Sequence, residues 1–348
     1  MRKFDYKKLS EKSWDNEILL LCSKIHECKG RQDLFVRQKP TQLDRLVEIS
    51  KIQSTEASNR IEGIVTTSTR MKQLFKEKTT PKNRDEKEIL GYRDVLNTIH
   101  ESHDYIDVSP NHILQLHRDL LKRAGFTYSG HFKNTQNYIK ETKLDGTEVV
   151  RFTPLAPYET PDAVGMICRS FSETLAMENV DPLILIPAFI CDFLCIHPFN
   201  DGNGRMSRLL TTLLLYRSGF YVGKYISLEA KIAKNKDLYY DALAASQDGW
   251  HEGQAVPIQF VKYLLGTILS AYRDFADRFA IVETKHSAIE KVRMATQNKI
   301  GRFTKQDIRE QCPSLSISSV ESALRNMVAS GELKREGTGK NTCYFRLK

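Results

Sequence analysis

Twelve consecutive residues, HPFNDGNGRMSR from His197 to Arg208, bring together a histidine, an aspartate, two glycines around an asparagine and two arginines. A neutral imidazole can take a proton from a hydroxyl near neutral pH, its ordinary pKa being roughly 6.5. Pro198 ends the apolar helix that leads to His197 and so holds the ring at the mouth of a loop. Phe199 reads as the apolar anchor of that loop. Asp201 offers a hard oxygen ligand for Mg²⁺, a metal usually held by one or two carboxylates plus substrate phosphates. Gly202 and Gly204 permit close backbone approach around Asn203, just before a helix starting near Arg205 whose free N–H groups favour an anion. Arg205 and Arg208 lie three apart and are expected to project from one face toward that anion as forked phosphate donors. The combination specifies a di- or triphosphate with Mg²⁺ and a general base alongside. A plain helix-capping loop would need neither both arginines nor the histidine. The chain contains no GxxxxGK[ST], so a Walker-type phosphate loop is excluded.

Helices must position this loop. Apolar residues recur at helical spacing over 14–25, 43–52, 89–99 and, after Ser109-Pro110, 113–121. The pattern resumes over 164–177, 183–196, 206–217, 238–245 and 258–282. Only 128–157 differs: YIKETKLDGTEVVRF places β-prone residues on either side of Asp145-Gly146, a hairpin-turn dipeptide. The expectation is an all-α domain with one protruding hairpin.

The bulk properties agree with a folded protein. The 348 residues are 41% hydrophobic and 27% charged, enough for one large domain and a small one. The longest apolar stretch, 183–196, is broken by Pro187 and Asp192 and is shorter than the roughly 20 residues that a membrane span requires. The start, MRKFDYKKLSEK, has no secretory pattern, and seven scattered cysteines include no CxxC. A cytoplasmic protein without a disulfide framework, zinc site or membrane partner is expected. The net charge of +9 is uneven. Residues 285–348 hold 13 Lys/Arg against 6 Asp/Glu, leaving about +2 for the rest. A basic tail of this kind fits either a nucleic-acid contact or a merely solvated surface.

HPFNDGNGRMSR resembles the Fic signature HPFx[DE]GNGRxxR at every fixed position. GHFKNTQNYI (130–139) followed by FTPLAP resembles the Fic flap, and YYDALAASQDG resembles the adenine-side helix that follows the signature. The resemblance covers roughly residues 1–280. It implies transfer of AMP from ATP, with Mg²⁺, to Ser, Thr or Tyr hydroxyls of a target protein and of the chain itself. By motif position, His197 would be the base and Asp201 the metal ligand. Gly202, Asn203 and Gly204 would cradle phosphates that Arg205 and Arg208 hold. Ile139, Tyr240 and Gln247 would complete the nucleotide site, although Tyr239 and Tyr240 fit an amphipathic core equally well and many relatives carry Asn where Gln247 stands. The same scaffold can use another nucleotide or remove AMP. Family members often dimerise, so a homodimer is a further implication. In the family the flap, here about 130–157, pairs with an extended target segment. Here that flap is lengthened by ETKLDGTEV, and PLAP replaces an adjacent proline pair.

Two further pieces complete the reading. SNRIEG (58–63) resembles the inhibitory [ST]xxxE[GN] motif of Fic proteins, with Ser58, Glu62 and Gly63 at its fixed places; Glu-Gly after a helix also reads as an ordinary C-cap. In the inhibitory reading Glu62 pairs with Arg208 and takes the space of the γ-phosphate. The last segment reads as helix, turn, helix and two short strands around Gly337-Thr338-Gly339. Ser318 and Ser319 are expected to cap the second helix, with Val320, Leu324, Met327 and Val328 inward. This resembles a winged helix-turn-helix, a fold that binds DNA or protein. The expected organisation is therefore an N-terminal helical region 1–105 with an inhibitory helix near 54–63, an all-α Fic core 106–283 with its hairpin flap, and an α+β winged-helix domain 285–348. The competing reading is a DNA-binding regulator whose Fic domain senses nucleotide.

Overall fold

The apolar run 183–196 forms a helix that is buried from Leu183 to Ile196 on every side, and the rest of the fold is wrapped around it. The computed structural model describes residues 3–38, 40–142, 146–283, 287–297, 299, 301–312, 315–339 and 342–347. Among these, the N-terminal helices are α1 (Asn16–Gln38), α2 (Pro40–Ile61), α3 (Ser68–Phe75), α4 (Arg84–Ser102) and α5 (Pro110–Leu121). A hairpin, β1 (Ile139–Thr142) and β2 (Glu148–Phe152), precedes α6 (Thr160–Met177), the central α7 (Pro182–Ile196) and α8 (Asn203–Arg217). Then come α9 (Val222–Tyr225), α10 (Leu228–Lys234), α11 (Lys236–Ala245) and α12 (Ile258–Glu283). α7 packs against α6, α8 and α12, while α4 bridges α2, α5 and α8.

Local chemistry sets the boundaries. Ser109 accepts from His112 N–H ahead of Pro110, and Asp181 accepts from Leu183 N–H ahead of Pro182, so α5 and α7 both begin on a capped, proline-primed turn. At the other end of α2, Gly63 (φ 79°) allows Ile64 N–H to reach Asn59 O and Gly63 N–H to reach Arg60 O, a Schellman closure. α4 and α5 approach so closely that a Cβ on Gly91 would stand 2.0 Å from Leu120 O. The hairpin strands pair antiparallel with an irregularity at Ile139/Lys140. Asp145, the expected first turn residue, lies outside the described residues, and Gly146 has φ 82°.

The C-terminal region has its own small core of Val292, Phe303, Ile308, Val320, Leu324, Met327 and Leu333. It comprises α13 (Ala288–Gln297), β3 (Phe303–Thr304), α14 (Lys305–Gln311), α15 (Ile317–Ala329), β4 (Leu333–Glu336) and β5 (Cys343–Arg346), in an antiparallel sheet ordered β3-β5-β4. Val320, Leu324 and Met327 face inward as expected, and Val328 is half-buried. The cap of α15 is a correction: Ser316, not Ser318 or Ser319, accepts from Ser319 N–H, so the helix begins earlier and those two serines fill its first turn.

Candidate functional site

α7 and α8 meet at the signature loop, and packing fixes every turn of it. His197 is the C-cap of α7 in a left-handed conformation (φ 51°), its N–H bonded to Phe193 O at 2.9 Å. A non-glycine residue held at positive φ is a strained position of the kind that clusters at active sites. Phe199 is fully buried, and its backbone exchanges two bonds with the Asn203 amide, donating to Oδ1 (2.9 Å) and accepting from Nδ2 (2.7 Å). Asn203 thus locks the loop. From α5, His117 stacks on Phe199 with ring centroids 3.6 Å apart and reaches Asp201 O with Nε2 at 3.0 Å. Its Nδ1 accepts from Gly130 N–H, so the ring proton resides on Nε2.

The His197 ring is placed for proton transfer. Nδ1 lies 3.3 Å from the Leu194 carbonyl, which can only accept, so Nδ1 carries the proton and Nε2 keeps its lone pair. Burial pushes its pKa down to about 4, against the opposing pull of the Leu194 carbonyl; Lys133 adds to the lowering, while Glu62 and Asp201 oppose it. The imidazole is neutral at pH 7.

Asp201 Oδ1 accepts from Gly202 N–H at 2.6 Å. Gly202 (φ 84°) caps α8, and the opening turn of that helix points its backbone toward the site. The Glu62 carboxylate sits over this turn: a Cβ on Gly204 would stand 2.3 Å from Glu62 Oε1. Arg208, buried within α8, donates to Glu62 Oε1 at 2.7 Å, to Ser58 Oγ at 2.8 Å and to Ser58 O at 3.0 Å. Burial disfavours the charge on Glu62, but the adjacent Arg208 guanidinium outweighs it and holds the carboxyl below its ordinary range.

Arg205 departs from the sequence expectation. Its side chain is 1% exposed and donates to Glu88 Oε2 at 2.7 Å, with Asp201 Oδ2 at 3.7 Å. It lies three positions from Arg208, yet its guanidinium is taken up by Glu88 of α4 and it does not line the cavity that Arg208 lines. The cavity itself, about 760 Å³, is lined by Glu62, Ile139, His197, Asp201, Gly202, Asn203, Gly204, Arg208, Tyr240 and Gln247, every candidate nucleotide or catalytic residue except Arg205. Gln247 reaches the cavity with its amide buried beside the Cys195 thiol. Tyr239 is buried and Tyr240 half-buried, stacked edge-on with ring centroids 5.3 Å apart, so the pair is both core and cavity wall.

Mg²⁺ fits these residues in one way. Asp201 is 43% exposed and has Oδ2 turned from its backbone bond, but no cluster of three His, Cys, Asp or Glu stands among the described residues. A lone carboxylate holds Mg²⁺ when substrate phosphates supply further oxygens. Asp201 would therefore bind the ion together with a nucleotide.

Several positioning residues escaped the sequence reading. Glu88 and His117 look like ordinary polar positions of amphipathic helices. Lys133, 3% exposed, donates its Nζ to Ile196 O at 2.9 Å and to Asn137 Oδ1, while its N–H reaches Pro198 O; burial pushes its pKa down to about 8. It ties the flap to the histidine loop, and its only sequence signal was its place in GHFKNTQNYI. Lys236 adds an ammonium 5.6 Å from the Tyr240 ring centroid.

Residues 107–215, from the start of α5 almost to the end of α8, match the profile of the Fic/DOC family. That segment is similar to the Fic/DOC family. The match includes Ile139 and the whole His197–Arg208 loop; Glu62, Tyr240, Gln247 and the C-terminal region lie outside it. In sequence the chain is similar to the protein adenylyltransferase fic-1 of Caenorhabditis elegans (29% identical over 140 residues, 39% of this chain and 25% of that one). It is 32% identical over 142 residues to fic-1 of Caenorhabditis briggsae, again 25% of that protein, and 25% identical over 188 residues to the protein adenylyltransferase Fic of Nematostella vectensis, 40% of it. The chain thus spans well under half the length of these relatives. In structure it is similar to a Fic family protein from Desulfovibrio desulfuricans (TM-score 0.63, 20% identical, 97% of both chains). A Fic domain containing signaling protein from Bacteroides thetaiotaomicron also superposes (TM-score 0.61, 23% identical, 78% of this chain and 99% of that one). The shared feature is the mostly helical Fic fold with its two-stranded hairpin.

Proposed function

We propose that this Fic/DOC chain is a protein adenylyltransferase, transferring AMP from ATP to a Ser, Thr or Tyr hydroxyl of a target protein and of itself, and restrained by Glu62. The observation that carries the reading is the unprotonated Nε2 of His197 facing the cavity that the N-terminal turn of α8, Asp201 and Arg208 also line. The acceptor oxygen bonds to the α-phosphorus, its proton passes to His197 Nε2, and the bond to the bridging oxygen of pyrophosphate breaks. The first N–H groups of α8 and the Arg208 guanidinium stabilise the phosphate charge, and Asp201 would hold Mg²⁺. Held there with a nucleotide, Mg²⁺ would supply positive charge that favours departure of pyrophosphate. The target segment would lie along the flap, where Val149 and Val150 are exposed. Glu62 occupies Arg208 and the space over Gly204, so a γ-phosphate could seat there only after Glu62 moves.

The test uses pure wild type, Glu62→Gly and His197→Ala with ATP labelled on the α- or the γ-phosphate. Protein-bound label from the α-position only, raised about tenfold or more by Glu62→Gly and lowered about 10²-fold or more by His197→Ala, is expected. Label from the γ-position would make the chain a kinase. Label from neither would favour another nucleotide or removal of AMP. Duplex DNA as a partner of 285–348 draws less support. The helix-turn-helix order of α14 and α15 fits a winged helix, but Arg325 is the one basic residue on α15. Arg293 and Lys305 are also engaged by Glu332 and Glu321.

A further inference from the structure

α2 has a second face. Residues 49, 52, 53, 56 and 60, at helical spacing, line a cleft of about 530 Å³ that α10, α12 and α14 close from the other sides. This cleft lies between the Fic core and the C-terminal region and shares no lining residue with the His197 cavity. In its wall stands Arg278 of α12, only 7% exposed, with Nη1 buried and unbonded and no carboxylate at ion-pair distance among the described residues. Asp274, one turn earlier, is engaged by Lys231 at 2.9 Å. A buried guanidinium without a counter-ion is costly, and native structures rarely keep one unless something else satisfies it. Burial accordingly lowers its proton affinity, with Asp274 and Glu310 only partly offsetting the effect.

The surroundings make the deficit larger. Lys72, Lys234 and Arg309 reach the same cleft without ion-pair partners among the described residues, and Arg60 pairs only loosely with Glu56 at 3.8 Å. Glu310 is the one lining carboxylate outside those pairs. The excess cations come from four elements, which suits a small anion bridging them better than an extended acidic segment. Forked guanidinium donors from Arg278 and Arg309 match phosphate oxygens. We propose that this cleft binds a small polyphosphate anion, with Arg278 as its buried anchor and Lys234 and Arg309 closing over it from the core and the C-terminal region.

The test reads binding, not turnover, and so stands apart from the transferase reading. Arg208→Met is introduced first to weaken the His197 cavity for phosphates, and inorganic pyrophosphate is titrated calorimetrically into that full-length chain at low salt. One equivalent is expected to bind, with a Kd at least tenfold lower than that of sulfate at equal ionic strength. Adding Arg278→Met, or separately Lys234→Gln with Arg309→Gln, should raise the Kd at least tenfold. Pyrophosphate should also raise the melting midpoint of the Arg208→Met chain and not that of the chain carrying Arg278→Met as well. The less buried pair, Lys234 and Arg309, keeps the test intact if Arg278→Met does not fold. No heat, equal affinity for sulfate, or a Kd unmoved by both sets of substitutions would overturn the proposal.

Discussion

Arg205 and Arg208 show how identity and spacing leave a residue's role open. Both belong to α8 and both are buried, but Glu88 of α4 meets the first and Glu62 at the end of α2 meets the second. The Glu88 pair is almost wholly removed from water, and breaking such a pair by neutralising one partner costs about 3–5 kcal/mol. Glu88→Gln should therefore lower the chemical-denaturation midpoint substantially. Glu62→Gly, at a site one-third exposed, should change label transfer far more than it changes that midpoint. Measuring both variants by urea unfolding and by α-label incorporation separates a structural arginine from a working one.

At the scale of elements, the close crossing of α4 and α5 gives a sharper test. A methyl group on Gly91 would meet the Leu120 carbonyl, a backbone atom that cannot swing aside. Gly91→Ala should cost about 1–3 kcal/mol through overpacking, outweighing the usual helix gain of alanine, and urea unfolding would reveal it. Most helices were legible because their apolar residues kept one period and their caps were ordinary. By periodicity α2 was legible only to about residue 52; the inhibitory motif alone marked a helix near 54–63, which is the end of the same α2. Its continuation buries Ser54, Thr55, Ser58 and Asn59, each at most 3% exposed, against Ser227, Arg208 and neighbouring backbone, and buried polar residues leave no hydrophobic stripe. α3 and α10 were missed because they are only eight and seven residues long, about two turns each, too short to display a period. The signature loop was legible as chemistry because its residue types are rarely combined. The Arg205 contact was not, since it depends on which helix crosses α8.

At the scale of the whole molecule, buried histidines couple the fold to pH. Burial pushes His100 down to about 3 and His117 to about 4, against roughly 6.5 in the unfolded chain. Between those values the unfolded chain takes up protons that the folded one refuses. The stability from these groups is thus complete above about pH 6.5 and falls as pH drops toward 4, by about 1 kcal/mol per pH unit for each histidine. Unfolding free energy measured from pH 7.5 to 5 should fall along that slope, and His100→Gln should flatten it. A profile independent of pH over this range would mean that the two rings are not held neutral by burial.

The carboxylate resting over Gly204 has one more consequence. Glu62 is a ligand carried on the same polypeptide, so its effective concentration at the mouth of α8 does not vary with protein or salt dilution. A nucleotide whose terminal phosphate needs that spot competes with a tethered rival, and its apparent Kd equals the intrinsic value divided by the fraction of molecules in which the rival is away. A triphosphate should therefore gain affinity when Glu62 is removed, while a nucleotide too short to reach Arg208 should bind both forms alike.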